Sequence, residues 1–424
     1  RYGLVGSEMC IRDRSWKSIC PNPDSIFLKP ASKSSSNYGL KNILTDRQNS
    51  LGKGLSLQYK KPLHIVRGEG IYLIDKDGRN YLDMINNVAH VGHEHPEVVK
   101  AGQLQMGQLN TNSRYLHPNI TKLAKSLIAT FPSNLCVVHF VNSGSEANEL
   151  ALRMIKTVTG SDEILVSKYG YHGNTKSCIN ISSYKFDGEG GEGKPDSTHV
   201  FPIPDTFRGI YRGENTTTNY AKEIETQIIS LKKKKRKLGG LIIEPIISCG
   251  GQVELPKGFL SKAFDLVKKE NGICVVDEVQ TGCGRVGSHF WGFQLHNVLP
   301  DIVTIGKPLG NGHPVAAVVC TNEIANKFNN GMEFFNTFGG NPVSCAIANK
   351  VLEIVRNEKL QENAFKVGNF LKKGIKKLTK NSNSYFNVRG QGLFLGIEFI
   401  DKNLLPQAEK ANYVVDRMKF FGIL

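Results

Sequence analysis

The sequence predicts an α/β fold with a mainly parallel central sheet and a smaller α+β domain. Two observations carry this prediction. Short apolar runs without polar alternation recur between residues 135 and 320, and stretches with helical periodicity separate them. Strands that are apolar on both faces are typical of parallel sheets covered by helices, which also supply the crossovers. After residue 345, two long amphipathic stretches and another apolar strand indicate the smaller domain.

The first predicted element is a hairpin. Residues 70–86 read GIYLIDKDGRNYLDMIN, in which alternating apolar residues flank Asp77-Gly78, a strong hairpin signal. The strands of the main sheet follow, and we place them at 135–142, 163–168, 240–245, 272–278, 301–306 and 314–320. The smaller domain then takes helices at about 345–357 and 359–379 and one strand, RGQGLFLGIEF, at 389–399.

These elements divide the chain into four parts. Residues 1–36 start at Arg1 and fit no periodic pattern, so we expect an extraneous or disordered segment outside the fold. We assign 37–92 to the N-terminal part of the small domain, 93–335 to the large domain and 336–424 to the C-terminal part of the small domain. Because the chain stops inside the apolar run FFGIL, we expect the natural protein to continue.

The composition argues against disordered and membrane-spanning classes of protein. The chain has 424 residues, of which 40% are hydrophobic and 22% charged, as in globular proteins. No apolar run approaches the roughly 20 residues of a membrane helix, and no signal-peptide pattern is present. We therefore expect no membrane partner and a cytoplasmic location, which nine cysteines without a CxxC pair also favour.

The net charge of +16 raises nucleic-acid binding as an alternative. The densest basic block is KKKKRK at 232–237, and we interpret it as a solvated helix end or loop because no aromatic-basic interleaving accompanies it. His90, His93 and His95 lie close together in AHVGHEHPE, but this stretch reads as a turn without helical spacing of metal ligands. We predict neither nucleic acid nor a metal as a partner.

A possible anion site follows the first strand of the predicted main sheet. In an open α/β sheet, ligands bind beyond the carboxyl ends of the strands. Ser143, Gly144 and Ser145 come directly after that strand and before a helix. Free N–H groups at a helix N-terminus, together with serine hydroxyls, suit a phosphate. Ordinary N-capping by one of the serines is the alternative.

Two charged residues follow other strands of the same sheet. Asp277 ends GICVVD, where a carboxylate needs a cation or a hydrogen-bond donor; backbone N–H groups alone are the alternative partner. Lys307 follows DIVTIG, and a poorly solvated amine is a nucleophile toward carbonyls, whereas a surface lysine is the alternative. An anion site, a carboxylate and an amine at one sheet edge suit the phosphate, ring nitrogen and aldehyde of pyridoxal phosphate.

The motifs SGSEAN, VVDEVQTGCGRVG, TIGKPLGNGHP and NTFGGNP together resemble those of the class III aminotransferases, the ornithine and GABA aminotransferase type of pyridoxal-phosphate enzyme. The resemblance runs from about Gly68 to the C-terminus. It implies fold type I, pyridoxal 5'-phosphate as the cofactor, a small amine as the substrate and an obligate homodimer. It also implies that Lys307 bonds to the aldehyde and that Asp277 pairs with the ring nitrogen.

The resemblance implies a wider set of cofactor contacts, namely Ser143, Gly144, Ser145, Tyr171, His172, Glu244, Gln280 and Thr337. Tyr171 is expected to stack on the ring, and Gln280 to lie near its hydroxyl group. Thr337 is expected to reach the phosphate of the neighbouring subunit. Arg389, in VRGQGLF, resembles the arginine that binds the substrate carboxylate, since arginine forms bidentate pairs with such groups; a surface ion pair is the alternative.

The insertion at 184–213 and the preceding YHGN resemble a phospho-lyase subgroup that acts on phosphoethanolamine or phosphohydroxylysine. SRYLHPN shows the same likeness, and we assign its Arg114 and Tyr115 to substrate binding. Basic residues of the insertion suit a second phosphate, with a mobile loop of solvated charges as the alternative: Lys185, Lys194, Arg208 and Arg212. We predict phosphate elimination from a phosphorylated amine, with amino transfer to a keto acid as the alternative.

One motif points to a different cofactor. GCGRVG at 282–287 matches the G-x-G-x-x-G dinucleotide fingerprint by letter. That fingerprint needs glycines immediately after a strand and a helix that opens from them. Here Asp277 and Gln280 intervene, and SHFWGF lacks helical periodicity, so we reject a nicotinamide site.

Overall fold

A computed structural model of the protein describes residues 39–379 and 385–424, and the backbone of the two-residue strand Ser7–Glu8. Apart from that strand, the segment predicted to be extraneous, 1–36, lies outside the described residues. The strands are β1 (Ser7–Glu8), β2 (Ile65–Glu69), β3 (Tyr72–Asp75), β4 (Asn80–Leu82), β5 (Leu135–Val141), β6 (Glu163–Ser167), β7 (Thr198–Phe201), β8 (Leu238–Ile243), β9 (Ile246–Ile247), β10 (Val253–Glu254), β11 (Ile273–Asp277), β12 (Ile302–Ile305), β13 (Ala316–Thr321), β14 (Tyr385–Gln391) and β15 (Phe394–Ile400).

The helices lie mostly between these strands, and two short 3-10 helices accompany them at Gly292–His296 and Lys307–Gly310. The α-helices are α1 (Leu40–Ser50), α2 (Pro96–Met106), α3 (Pro118–Ile128), α4 (Gly144–Thr159), α5 (Lys176–Asn180), α6 (Ser183–Phe186), α7 (Thr216–Lys233), α8 (Phe259–Lys269), α9 (Asn322–Phe328), α10 (Pro342–Asn357), α11 (Leu360–Thr379) and α12 (Ala408–Phe420). In the described part of the chain, no helix combines the length and apolar character needed to cross a membrane.

A seven-stranded sheet forms the centre of the fold, in the order β5-β13-β12-β11-β8-β6-β7. β13 runs antiparallel to both of its neighbours, and the other six strands share one direction. The α/β prediction is therefore confirmed, and each of the six predicted strands overlaps an observed one. The sequence did not predict β7, because it lies inside the insertion that we interpreted by its glycines and charges.

The core forms on both faces of this sheet. Along β11, Val275 packs with the buried side of α4, whereas Cys274 and Val276 pack with α7 and α8. Successive side chains of a strand point to opposite faces, so a strand covered on both sides is apolar at every position. That is the physical reason for the uninterrupted apolar runs in the sequence.

The two ends of the described chain meet beside the main sheet. Around the predicted Asp77-Gly78 turn, β3 and β4 pair antiparallel, with Ile74 opposite Asn80. The backbone of Leu82 in β4 then donates to Gly422 at 2.7 Å and accepts from Leu424 at 2.9 Å. Strand β4 and the C-terminal segment of the described chain are thus hydrogen-bonded to each other, and the domain boundaries 37–92, 93–335 and 336–424 stay a prediction.

The predicted single strand at 389–399 is wrong. The segment folds as the antiparallel pair β14 and β15, in which Gln391 lies opposite Phe394. Gly392 makes the turn with a φ of +56°, a conformation that favours glycine. The apolar pattern continues across Gly392 and therefore predicts one strand, whereas the positive φ of Gly392 reverses the direction of the chain.

The basic block at 232–237 forms the end of α7 and the turn after it. Lys232 pairs with Glu270 at 2.7 Å, and Arg236 donates from Nε to Glu163 at 2.7 Å. Lys237 donates to the carbonyl oxygen of Thr159 at 2.9 Å. Half of the block is thus engaged in contacts within the fold.

Candidate active site

A cavity of about 290 Å³ lies at the carboxyl ends of the parallel strands β5, β6, β8, β11 and β12. Because these strands share one direction, the residues that follow each of them reach the same edge of the sheet. Many of the predicted site residues line this cavity: Ser143, Gly144, Ser145, Tyr171, His172, Glu244, Asp277, Gln280 and Lys307.

The N-terminus of α4 forms one wall of the cavity. Ser143 is the N-cap, and its Oγ accepts a hydrogen bond from the backbone N–H of Glu146 at 3.1 Å. The Oγ atom of Ser145 accepts from the backbone N–H of Asn174 at 3.0 Å. The first N–H groups of a helix have no intrahelical partner. This wall therefore presents backbone donors, and the capping alternative holds for Ser143 at the same time.

Asp277 is buried at the end of β11 and is held by three groups. Its Oδ2 accepts from Asn148 Nδ2 at 2.8 Å and lies 2.9 Å from His172 Nδ1. Its Oδ1 accepts from the backbone N–H of Val279 at 3.0 Å. The same Asn148 Nδ2 also donates to the carbonyl oxygen of His172 at 2.7 Å. These contacts fix both the carboxylate and the imidazole against the cavity.

Glu244 and Gln280 belong to a second buried network. The hydroxyl of Ser248 donates to Glu244 and accepts from Gln280 Nε2 at 2.6 Å, while Gln280 Oε1 accepts from Asn87 Nδ2 at 2.7 Å. Burial raises the pKa of Glu244 to about 7, and the nearby charge of Asp277 acts in the same direction. Burial therefore favours the protonated form of Glu244 more than that of an exposed glutamate.

Lys307 lies directly after β12, at the first position of a 3-10 helix, and is half-buried. Tyr171 follows β6, which is separated from β12 in the sheet by β11 and β8. Its ring packs edge to face with the Tyr184 ring, and the two ring centres are 5.9 Å apart. Burial raises the pKa of the Tyr171 hydroxyl, so the phenol is neutral at physiological pH. The cavity thus combines an amine and an uncharged aromatic ring.

The other predicted residues do not line this cavity. Thr337 is exposed in the loop 329–341. Arg114 pairs with Glu333 at 2.9 Å, and the neighbouring Tyr115 is exposed. Arg389 is buried and donates from Nε to the carbonyl oxygen of Gly251 at 2.6 Å; its ion-pair partners are Glu398 at 2.8 Å and Asp205 at 3.9 Å. The roles of these four residues stay predictions.

The basic residues of the insertion differ in their surroundings. Arg208 pairs with Glu398 at 2.5 Å, and Lys194 donates to the carbonyl oxygen of Thr198 at 3.2 Å. Lys185 instead lies beside the cavity, with its Nζ 5.8 Å from the ring centre of Tyr171. Of the two lysines, Lys185 is the one next to a cavity-lining residue.

The glycine-rich and histidine-rich motifs serve the packing around the site. GCGRVG forms a series of turns, and its buried Arg285 donates to His90 Nδ1 at 3.0 Å. Burial, reinforced by the nearby charge of Arg285, lowers the pKa of His90 to about 3. His93 pairs with Asp83 at 2.7 Å, and His95 caps α2. Among the described residues, no group of three or more His, Cys, Asp or Glu forms a metal site.

Sequence reasoning missed three residues of these networks: Asn87, Asn148 and Ser248. Asn148 stands in the quoted motif SGSEAN, on a helix face that also buries Ala147 and Ala151. A polar side chain on a buried apolar face needs a partner, and this was the available signal. Asn87 and Ser248 carry no comparable signal, because both lie in irregular segments.

The residues of the cavity fit pyridoxal phosphate. The N-terminus of α4 offers backbone N–H donors and a positive dipole end to a phosphate. Asp277 offers a buried carboxylate, Lys307 an amine and Tyr171 an aromatic face, all on one cavity. A phosphate, a basic ring nitrogen, an aldehyde and a planar ring each find a partner of matching chemistry in this set.

The chain is similar to known aminotransferases and to a phospholyase. An alanine–glyoxylate aminotransferase 2-like protein of Drosophila melanogaster is 46% identical over 382 residues, covering 88% of this chain and 77% of that protein. The human mitochondrial alanine–glyoxylate aminotransferase 2 is 38% identical over 91% of this chain and 80% of its own. A phospholyase structure from Arthrobacter in complex with phosphoethanolamine is 36% identical, with a TM-score of 0.85 over 90% of both chains.

The family model for class-III aminotransferases matches residues 56–423, which include every strand of the central sheet and every residue of the cavity. The chain therefore belongs to the class III aminotransferases, a family of enzymes that use pyridoxal 5'-phosphate.

Proposed function

We propose that the protein transfers an amino group from a small amine or amino acid to a keto acid. The observation that carries this proposal is the meeting of Lys307, Asp277 and the N-terminus of α4 on one cavity. The two relatives that are named aminotransferases favour this reaction over the phosphate elimination that the insertion led us to predict. Amino transfer, the alternative in our sequence analysis, is therefore the better supported function.

Each residue of the cavity takes one task in this proposal. When bound, pyridoxal 5'-phosphate supplies the aldehyde that takes up the substrate amine and a ring that accepts electrons. Lys307 is the amine that bonds to the cofactor and carries the substrate proton, and the backbone at Gly144 and Ser145 holds the phosphate. Asp277 pairs with the ring nitrogen, and Tyr171 covers the ring face. His172 and Asn148 hold the carboxylate of Asp277 in place.

A homodimer is the second part of the proposal. The exposed loop 329–341 contacts the segment before α3, because Arg114 pairs with Glu333 and stacks on Phe335 at 4.0 Å. Large apolar side chains of these two segments are exposed together: Tyr115, Leu116, Met332, Phe335 and Phe338. An exposed apolar patch of this kind is typical of a protein interface. When a second copy of the chain binds to this surface, Thr337 of one subunit lies toward the cofactor phosphate of the other subunit.

Phosphate elimination from a phosphorylated amine is the second candidate function. It is favoured by the similarity to the Arthrobacter phospholyase and by Lys185 beside Tyr171. An ammonium group at this place offers charge-assisted hydrogen bonds to a phosphate on the substrate.

One assay separates the two candidates. The purified holoenzyme is incubated with alanine and glyoxylate, and in parallel with phosphoethanolamine, and amino transfer and inorganic phosphate are both measured. Keto-acid-dependent amino transfer without phosphate release supports the proposal, and phosphate release without a keto acid establishes the second candidate instead. The Lys307→Ala variant must lose whichever activity is found, and absence of both activities in the wild-type enzyme refutes both.

The cytoplasmic location also stays a prediction. The human relative, in contrast, is named as a mitochondrial protein. Fractionation of cells that express the natural gene, followed by detection of the protein in the cytosolic and mitochondrial fractions, decides between the two.

A further inference from the structure

A hydrogen-bonded cluster joins three segments beside the cavity. Glu146 in the first turn of α4 is its centre. Its Oε2 accepts from the backbone N–H of Asn142 at 2.9 Å and from the side-chain amide of Asn142 at 3.0 Å. The third donor is the side-chain amide of Asn336, at 3.0 Å. One carboxylate oxygen therefore ties the end of β5, the start of α4 and the loop 329–341 together.

Asn336 uses its other side-chain atom to shape the loop itself. Its Oδ1 accepts from Asn142 Nδ2 at 2.9 Å and from the backbone N–H groups of Phe338 at 3.2 Å and Gly339 at 2.8 Å. Thr337 lies inside the turn that these bonds close. The position of Thr337 is thus coupled, through a single side chain, to the first turn of α4.

Glu146 does not make the usual contact for its position. With Ser143 as the N-cap, Glu146 is the third residue of the helix, and in a capping box it bonds to the N-cap backbone N–H. Here the carboxylate instead contacts the N–H of Asn142, one residue earlier, and the amide of Asn336. Helix capping alone does not account for this arrangement, whereas attachment of the loop does.

We propose that Glu146 and Asn336 are positioning residues that hold the loop 329–341 on the phosphate-binding end of α4 and thereby set the affinity for the cofactor. The proposal rests on the cofactor binding at that end of α4 and on the homodimer in which Thr337 contacts the phosphate of the neighbouring subunit. In that dimer, the cluster links the phosphate site of one subunit to the residue that it offers to the other.

Exchange of the acid and the amide between the two positions tests the proposal. Asn336→Asp places a second carboxylate next to Glu146, and the repulsion displaces the loop. We expect the Kd for pyridoxal 5'-phosphate to rise about tenfold. In the double variant E146Q/N336D the repulsion between two carboxylates is gone, so we expect the Kd to fall clearly below that of N336D. The recovery is incomplete, because the atom in place of Glu146 Oε2 cannot both accept from Asn142 and donate to the carboxylate at position 336. Titration of each apoprotein with the cofactor, followed by absorbance, gives these values.

Two further measurements distinguish positioning from a general loss of stability. Glu323→Gln removes an exposed ion pair with Lys327 on α9, at 2.8 Å and outside the loop, and must leave the Kd unchanged. Sedimentation of the wild-type protein tests the dimer separately, since a monomer refutes the dimer proposal. A dimer whose N336D variant binds the cofactor like wild type, or whose double variant shows no recovery, refutes the proposed role of Glu146 and Asn336.

Discussion

The Nδ1 atom of His172 lies 2.9 Å from Oδ2 of Asp277, and both side chains are buried. The same carboxylate oxygen accepts a hydrogen bond from Asn148, so Asp277 is oriented from two sides. A buried carboxylate held in this way faces the cavity without reorganisation, which is the condition for strong electrostatic stabilisation of a developing charge.

Asp277→Asn tests this relationship. The amide keeps the size of the side chain but cannot pair as an anion with a protonated ring nitrogen. We expect kcat to fall by roughly 10²–10³. Steady-state kinetics with saturating cofactor give kcat, and calorimetry provides the control for folding. A kcat within threefold of wild type excludes a role for this charge in the reaction.

The fold was largely predictable because its strands are buried on both faces. Their uninterrupted apolar runs placed β5, β6, β8, β11, β12 and β13 along the chain. The direction of β13 was not predictable, because an apolar strand is equally compatible with a parallel or an antiparallel neighbour. The β14–β15 reversal depended on the backbone of Gly392, which a hydrophobic pattern does not report.

The burial of Glu278 predicts that the stability of the protein depends on pH. Glu278 is fully buried beside Asp277 and accepts from the backbone N–H of Phe293 at 2.7 Å and from Thr281 Oγ1 at 2.6 Å. Burial raises its pKa from 4.5 to about 7. A raised acid pKa means that the folded state binds the proton more tightly, so its stabilising effect is complete below pH 4.5 and is lost as the pH rises through 7.

We therefore expect Glu278 to lower the stability of the apoprotein by about 2 kcal/mol between pH 5 and pH 7.5, whereas the buried His90, whose pKa is lowered, acts in the opposite direction. Glu244, whose pKa is also raised to about 7, acts in the same direction as Glu278. Glu278→Gln removes the contribution of Glu278, so the stability of this variant at pH 7.5 relative to pH 5 must be higher than that of the wild type. Urea unfolding gives the free energy of unfolding at both pH values, and Glu225→Gln, at an exposed position, is the control. If this free energy changes equally between the two pH values in the wild type and in E278Q, the expectation is contradicted.

Gly173 gives a steric test of the cavity wall at α4. Its φ is +134°, and a Cβ atom there lies 2.6 Å from Ser145 Oγ and 2.9 Å from Ser145 Cα. Gly173→Ala therefore displaces Ser145 or the segment after Tyr171. We expect the Kd for pyridoxal 5'-phosphate to rise at least about tenfold. Gly374→Ala, in α11 with open space around it, is the matched control and must bind the cofactor normally.

The candidate site was predictable where chemistry demands a residue type, and less so where only packing does. An amine, a carboxylate and a helix N-terminus stand out at strand ends, which is why the sequence could select Lys307, Asp277 and Ser143, and these three residues line one cavity. Asn87 and Ser248 act through contacts across 193 and 32 residues of sequence, and no local pattern indicates such pairs. The surroundings of Arg389 were equally hidden, since Glu398 pairs with it across a hairpin.

Substitution of Lys185 distinguishes the two candidate functions. Its Nζ lies 5.8 Å from the ring centre of Tyr171, close enough for its charge to act on a substrate that carries a phosphate. If the enzyme turns over phosphoethanolamine, Lys185→Gln must raise the KM for it about tenfold through loss of a charge-assisted contact. The KM for alanine must change much less, because its carboxylate carries one charge and sits on the same carbon as the amine, whereas the phosphate of phosphoethanolamine carries up to two charges and extends further from the amine. Lys194→Gln, in the same insertion but bonded to Thr198, is the control and must leave both KM values as they are. An equal change of KM for both substrates in K185Q contradicts a phosphate contact and indicates instead that the lysine supports the packing of Tyr171 and Tyr184.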